Sequence, residues 1–415
     1  MSSRIRQLVI LLLLSGLILN VMSAKSRKTK KKESRQEEPH QDNVCDIQTE
    51  LDVYCYCDSQ EPGSALDSTC WILKGENPED DVWELFKTQP NLKKLRVNSR
   101  PDGRLRFVPT RALTHLPNLT SLDIKYASIS VLPSFAFANL SSLEELSLSR
   151  NSIVGLEPHS VANLRSVKEI NLDENRISEI KRDVFYGMPV LAKLYLSKNN
   201  LTVIQERAFI KLRYLKDLDL CENQLTQISR ETFAGLDYLT RLDLHQNHIA
   251  LLEDHVFSEL HNVEDIDLDT NELKFISNRA FYRLDKLARL SMADNKLTVL
   301  GQSVFERTPS LLHLDLRDNH LQTLVSETIE PIMDNLKQPA TYFYLDAVEL
   351  NTTSALANYA TEAREVGGKT TLVSVSEPPL NRQRKGEQEK FNGGWSEFLV
   401  TAPEVLGLNP GASKL

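Results

Sequence analysis

Residues 242–252 read LDLHQNHIALL, and their spacing fits neither a continuing strand nor a helix. Leu242 and Leu244 alternate as a strand does, but the alternation stops at Asn247. The next apolar residues, Ile249 and Leu252, stand two and five positions beyond it. A helix would repeat its apolar stripe every three and four residues. The same setting recurs along the chain. Asparagine returns at Asn151, Asn175, Asn199, Asn223, Asn271, Asn295 and Asn319, always in steps of 24. Its companions keep their offsets: Leu218 and Leu220 before Asn223, Ile266 and Leu268 before Asn271, Leu314 and Leu316 before Asn319. Ten positions after the asparagine stands a large apolar residue, usually phenylalanine: Phe185, Phe209, Phe233, Phe257, Phe281 and Phe305. Two degenerate units come first. One keeps Leu122 and Ile124 but has Ala127 at the asparagine site. The other keeps Leu95 and Val97, with Arg100 there and a longer spacing, for about ten repeats in all.

A fixed period of this size marks a solenoid. Each Leu-x-Leu pair is a short strand with alternate side chains turned inward. Strands of successive repeats pair in parallel, and each parallel pairing requires a crossover on the other side. No repeat can bury its apolar face alone, so the array stands as one cooperative rod that needs caps at its ends.

The pattern L-x-x-L-x-L-x-x-N-x-L, followed by F-x-x-L, resembles the leucine-rich repeat of extracellular proteins over roughly residues 92–330. That resemblance implies an α/β-type solenoid: a curved leucine-rich repeat horseshoe of about ten 24-residue repeats, with a parallel β-sheet on its concave face. It also implies that Asn151, Asn175, Asn199, Asn223, Asn247, Asn271, Asn295 and Asn319 point inward and bond turn backbone as a ladder. Buried backbone requires such partners, so these asparagines read as structural. The phenylalanines would stack as a spine along the convex side.

The ends define the compartment. In residues 1–24, Arg4 and Arg6 precede an apolar run from Leu8 to Leu19, and small residues Ser23 and Ala24 follow. This reads as a secretory signal peptide cleaved near Ala24. The run is short for a spanning helix, which needs about 20 apolar residues. Residues 25–44 are charged and nearly devoid of apolar groups, a disordered linker in expectation. Its basic run Lys28–Lys32 reads as solvated, with attraction to anionic glycans or headgroups as the functional alternative. Residues 45–80 carry Cys45, Cys55, Cys57 and Cys70, a tight even cluster that in a secreted chain means disulfides. Four cysteines allow three pairings. The C…C-x-C…C order resembles the N-terminal cap of extracellular leucine-rich repeat proteins, which implies Cys45 with Cys57 and Cys55 with Cys70. A zinc site is disfavoured by secretion and by the lack of a C-x-x-C pair. Repeats are expected over 81–335. Residues 336–415 contain no second cysteine cap and read as an irregular, mostly disordered tail, without a spanning helix or the hydrophobic end of a lipid-anchor signal. A naturally soluble protein and a form with an altered end are both compatible with that tail. The fifth cysteine, Cys221, has no evident mate; its repeat position lies just past the strand, on or near the concave side, where it reads as a small filler or a free thiol, with an intermolecular disulfide as the alternative.

Sequons at Asn118, Asn139, Asn200 and Asn351 fit a glycoprotein. The net charge is −8, and residues 1–44 hold nine Lys/Arg against four Asp/Glu, leaving −13 on the remainder. Such an acidic domain is a poor nucleic-acid binder.

Outward positions on the concave strands form columns. One holds Asp123, Ser147, Asn171, Tyr195, Asp219, Asp243, Asp267, Ser291 and Asp315. Another holds Lys193, Asp217, Arg241, Asp265, Arg289 and His313, alternating in sign so that neighbours pair. Stacked Asp219, Asp243 and Asp267, relieved in part by Arg241 and Arg289, make a candidate acidic patch. Aspartate at this position is also commonplace in the repeat. Tyr195 is the candidate aromatic anchor. The run Asp265, Asp267, Asp269 lacks the glycine and terminal glutamate of a calcium loop. His245, His248, His255 and His261 fall at scattered repeat positions, so no metal and no cofactor is expected. No G-x-S-x-G, H-E-x-x-H or phosphate loop occurs, and the chain reads as non-catalytic. The cap sequence and the segment LDLRDNHLQTLVSETIEPIMDNL, from Leu314, resemble insect cell-adhesion members of this family. That implies homophilic adhesion at neuromuscular surfaces. The alternative is a soluble secreted binder of a different extracellular protein.

Overall fold

Among the described residues thirteen strands share one sheet. β1 (Val53–Cys57) and β2 (Asp67–Ile72) form an antiparallel hairpin. β3 (Lys94–Ser99) joins β2 in parallel. Parallel pairing then continues through β4 (Ser121–Lys125), β5 (Glu145–Ser147), β6 (Glu169–Asn171), β7 (Lys193–Tyr195), β8 (Asp217–Asp219), β9 (Arg241–Asp243), β10 (Asp265–Asp267), β11 (Arg289–Ser291), β12 (His313–Asp315) and β13 (Tyr342–Tyr344). This computed structural model describes residues 43–46, 53–73, 77–100, 105–137, 140–333, 335, 341–345, 349–351, 363–366 and 369–372. The expected leader, the linker up to residue 42, the Asn139 sequon and the chain beyond 372 lie outside them. Among the described residues no helix is long and apolar enough to cross a membrane.

The register advances one repeat per strand. Leu194 faces Leu218, Leu218 faces Leu242, and Leu242 faces Ile266. All four are fully buried, and burying such a side chain contributes about 1.5–3 kcal/mol. The crossovers are mostly turns and two-residue strands, so the solenoid is β-rich. Its two described α-helices, α1 (Thr110–Thr114) and α2 (Ser326–Met333), are short. On the side opposite the sheet, Phe185 stacks on Phe209 and Phe233, Phe257, Phe281 and Phe305 stack in series, with ring centroids 5.8–6.4 Å apart. Strands pack about 4.8 Å apart. The wider spacing on the phenylalanine side curves the coil with the sheet on its inner, concave face.

The asparagines tie the turns together. Asn247 is 4% exposed. Its Nδ2 donates to the carbonyls of Leu220, Leu244 and His245 at 3.0, 3.0 and 3.3 Å. Its Oδ1 accepts from the Leu225 amide at 3.0 Å. Asn151, Asn175, Asn199, Asn223, Asn271, Asn295 and Asn319 repeat the donor pattern. The residue before each asparagine turns the chain through the left-handed region: Arg150, Glu174, Lys198, Glu222, Gln246, Thr270, Asp294 and Asp318 have φ of 50–58°. Each of the first seven uses its amide to bond a carbonyl of the next repeat, as Gln246 does with Asp269 at 2.9 Å.

The cap closes the first repeat. Disulfides join Cys45 to Cys57 and Cys55 to Cys70. Trp83 and Phe86, on a 3-10 helix over Asp81–Thr88, are fully buried. The linker boundary at 44 needs correction. Asn43 and Val44 are 3% and 4% exposed. Asn43 Nδ2 donates to the Gln60 carbonyl, while its Oδ1 accepts from Thr88 and Gln89. A buried polar network, invisible to composition, draws these two residues into the cap.

The boundary at 335 also moves. β13 extends the sheet in parallel with β12, and Glu349–Asn351 pairs with Thr323–Val325. A hairpin of Ala363–Val366 with Lys369–Leu372 follows. α2 lengthens the crossover and breaks the 24-residue period, but Phe343 and Leu345 still supply the inward pair, 3% and 7% exposed.

Candidate binding face

Three columns of side chains project from the concave sheet: one on each side of the inward leucine and a third two residues further on. Backbone alternation decides which residues these are. Register decides which become neighbours.

In the first column Tyr195 sits between Asn171 and Asp219, and Asp243 between Asp219 and Asp267. Tyr195, Asp219 and Asp267 are half-buried. The acids here have local structural work. Asp219 Oδ1 accepts from the Cys221 amide at 2.9 Å, Asp267 Oδ1 from the Asp269 amide at 2.9 Å, and Asp315 Oδ1 from the Arg317 amide at 3.1 Å. Side chains of this kind bond backbone two residues on and shape the turn. Asp243 is more enclosed still, at 4% exposure. Its oxygens take Arg241 at 2.9 Å and His245 Nδ1 at 2.6 Å. It therefore presents almost no charge to a partner, and the stacked acidic patch reduces to Asp219 and Asp267.

The second column is paired along the sheet. Lys193 lies 3.3 Å from Glu169, and Arg289 lies 3.2 Å from Asp265. Arg241 lies 3.8 Å from Asp217, an ion pair without a hydrogen bond, since Asp217 Oδ1 accepts none. These pairs are partly exposed and contribute little, about 0–1 kcal/mol each.

The third column holds Asp173, Ser197, Cys221, His245, Asp269, Ala293 and Arg317, of which the sequence places only Cys221 near the concave side. The signal for it was present: adding one repeat to Cys221 gives His245. Asp173 and Asp269 cap the next repeat, accepting from the amides of Ser197 at 2.7 Å and Ala293 at 2.6 Å. Burial pushes the carboxyls of Asp173, Asp217 and Asp269 above the usual range. Burial likewise raises Asp267 to about 6, reinforced by Asp269 and Asp243. Burial also acts on Asp243, but the hydrogen bond from His245 and the charge of Arg241 outweigh it and hold Asp243 low. The same bond raises His245 against its own burial. Burial, with Asp219 beside it, drives the Cys221 thiol up.

The four histidines remain apart in their contacts. His245 bonds Asp243, His248 lies 3.2 Å from Glu272, the His255 ring stands 4.9 Å from Tyr282, and His261 is exposed. Asp265, Asp267 and Asp269 are each engaged with a different partner. Asn118 and Asn200 are exposed, and Asn351 lies on the strand Glu349–Asn351. Beyond the sheet face, the flank carries a shallow cleft of about 530 Å³ lined by residues that include His255, Arg279, Tyr282 and Glu306. The sequence reading did not find it.

Comparison with known proteins supplies the remaining context. A profile described as "Leucine rich repeat" matches in overlapping segments, 90–153, 117–177, 141–201, 165–215, 189–249, 237–297 and 285–332. Connectin of Drosophila melanogaster is 33% identical over 90 residues, which is 21% of this chain and 13% of Connectin. The match thus spans a small part of that protein. Among solved structures, a chain of the Drosophila Toll–Spatzle complex superposes with a TM-score of 0.51 at 22% identity, covering 59% of this chain and 38% of that one. At that identity the likeness concerns the fold alone.

Proposed function

The chain belongs to the leucine-rich repeat family, and from that premise we propose that it is an extracellular recognition protein mediating homophilic cell-cell adhesion. The observation that carries this reading is the 33% identity to Connectin, in line with the adhesion proteins that the cap and the 314–336 segment resemble. Two disulfides fit an oxidising compartment. Exposed Asn118 and Asn200 are suited to carry glycans. Leucine-rich repeats are typically non-enzymatic binding modules, and the contact is assigned to the concave face, with Tyr195 as anchor and Asp219 and Asp267 beside it.

Bead aggregation tests it. Protein secreted from the full chain is coupled to beads of two colours, and mixed clusters are counted. Homophilic adhesion through this face predicts clusters that vanish when Tyr195, Asp219 and Asp267 are changed to alanine together. Clusters that survive place the interface elsewhere on the chain. Their absence with folded, disulfide-bonded wild type sinks the adhesion reading.

A second reading, a soluble binder of a different extracellular protein, draws on charge. Asp219 and Asp267 on two facing copies would repel, whereas a basic partner would be attracted and its encounter accelerated. Under this reading beads fail to cluster, and a basic extracellular ligand binds with a rate that falls as salt rises.

A further inference from the structure

Three reactive side chains meet on the concave face where two repeats adjoin. Cys221 Sγ, a carboxylate oxygen of Asp243 and an imidazole nitrogen of His245 all lie within 4.8 Å of one another. Register brings them together. Asp219 faces Asp243 across β8 and β9, so two residues further on Cys221 stands beside His245. Among the described residues no other three such groups gather as closely.

We propose that Cys221, Asp243 and His245 bind a zinc-class divalent cation, with a remaining coordination position open to the concave face. The proposal stands independently of which partner that face recognises.

The donor set is the first argument. Thiolate, imidazole and carboxylate all ligate zinc, at about 2.0–2.3 Å, and three protein ligands with one open position form a recognised type of site. Tetrahedral ligands at those lengths stand about 3.3–3.8 Å apart. Side-chain rotation of about 1 Å closes the present arrangement to that size.

The hydrogen bonding is the second. His245 Nδ1 and Asp243 Oδ1 are 2.6 Å apart, so a single proton bridges two ligand atoms. A dication replaces that shared proton, and the Cys221 thiol releases its own to solvent. Without a cation, burial and the adjacent Asp219 and Asp243 favour the protonated thiol. A bound dication reverses this, because a coordinating thiol is deprotonated outright.

The surroundings are the third. Asp219, Asp267 and Asp269 stand close by and supply negative potential. Arg241, bonded to Asp243 at 2.9 Å, is the opposing charge. Its other partner, Asp217, lies 3.8 Å away and can hold it when Asp243 turns to the ion. Cys221 is 6% exposed, too enclosed for easy cross-linking but adjacent to the half-buried His245. A metal-bound thiolate accounts for an unpaired cysteine in a chain whose other four are oxidised.

Cobalt(II) is the probe. The secreted full chain is stripped with chelator, and one free thiol per chain is confirmed after unfolding. Cobalt addition is expected to produce a near-ultraviolet thiolate-to-cobalt charge-transfer band and tetrahedral visible bands. These should saturate at one equivalent and be displaced by zinc. Cys221→Ser should abolish the charge-transfer band while the circular dichroism and Tm stay close to wild type. His245→Gln should weaken cobalt binding at least tenfold, and Asp267→Asn should leave the band in place. Absence of the band in folded, reduced wild type overturns the proposal. So does a band that persists in Cys221→Ser, or cobalt uptake that is indifferent to Cys221→Ser but lost in Asp267→Asn, which signifies diffuse binding by the acidic column. A disulfide-linked dimer through Cys221 on a non-reducing gel overturns it as well.

Discussion

Asn247 reaches back across an entire repeat to Leu220, donating its side-chain amide to a carbonyl 27 residues earlier at 3.0 Å. The same amide holds its own turn through Leu244, so one side chain joins two consecutive coils.

Replacing Asn247 with alanine leaves the buried amide of Leu225 without its acceptor and removes one of two donors from the carbonyls of Leu220, Leu244 and His245, which keep Asn223, Asn271 and Glu222. A buried group left unsatisfied costs about 1–3 kcal/mol. We expect Asn247→Ala to lower stability by about 1–3 kcal/mol. Asn319→Ala, at a partly exposed position, should cost less because water can replace its bonds. Urea unfolding of the two variants checks the order, and equal losses would contradict it.

Thr270 is a β-branched residue at φ 52°, a conformation that costs an L-residue roughly 1–2 kcal/mol. Glycine and asparagine tolerate it better. Thr270→Gly and Thr270→Asn should therefore raise the Tm, by an amount corresponding to about 1 kcal/mol. A lower Tm in both would mean that the threonine side chain supplies a compensating contact.

Asp267 makes stability depend on pH. Its folded-state value, raised to about 6, lies above the ordinary value of about 3.9. Below the unfolded value the carboxyl is protonated in both states and contributes nothing. As pH rises from about 4 to about 6 the unfolded chain loses the proton first, and stability falls. Above that window the cost is constant. In chelator-treated protein, Asp267→Asn should stabilise at about pH 7.5 and have little effect near pH 3.5. A gain that is the same at both pH values would show that its origin is not ionisation.

The cap disulfides close loops of 12 and 15 residues in sequence separation. Each such closure stabilises by about 3 kcal/mol. Changing Cys55 and Cys70 together to alanine should lower the Tm and expose the end of the first repeat, where Trp83 is buried. Tryptophan fluorescence during the melt reports this directly. A Tm unchanged from wild type would mean that the cap does not limit stability.

Much of the fold was legible in advance, because a buried stripe that recurs every 24 residues permits only stacked coils. The candidate face was legible only in part. Asp243 could be placed in its column, but not its enclosure by Arg241 and His245. Of the third column, the repeat position of Cys221 put that residue just past its strand near the concave side, but its meeting with His245 and Asp243 depends on register between repeats.

By itself the sequence determined the repeat length, the inward leucines, the asparagine and phenylalanine sites and the cysteine-rich cap. The first three follow from periodicity along the chain, and the cap from the resemblance of its cysteine order to that of extracellular leucine-rich repeat proteins. Only the tertiary structure decided that Asn43 and Val44 belong to the cap, that Tyr342–Tyr344 extends the sheet, and that Cys221 meets Asp243 and His245. Those outcomes depend on contacts between residues distant in sequence, where crossover length, strand register and competition for hydrogen bonds select the neighbours.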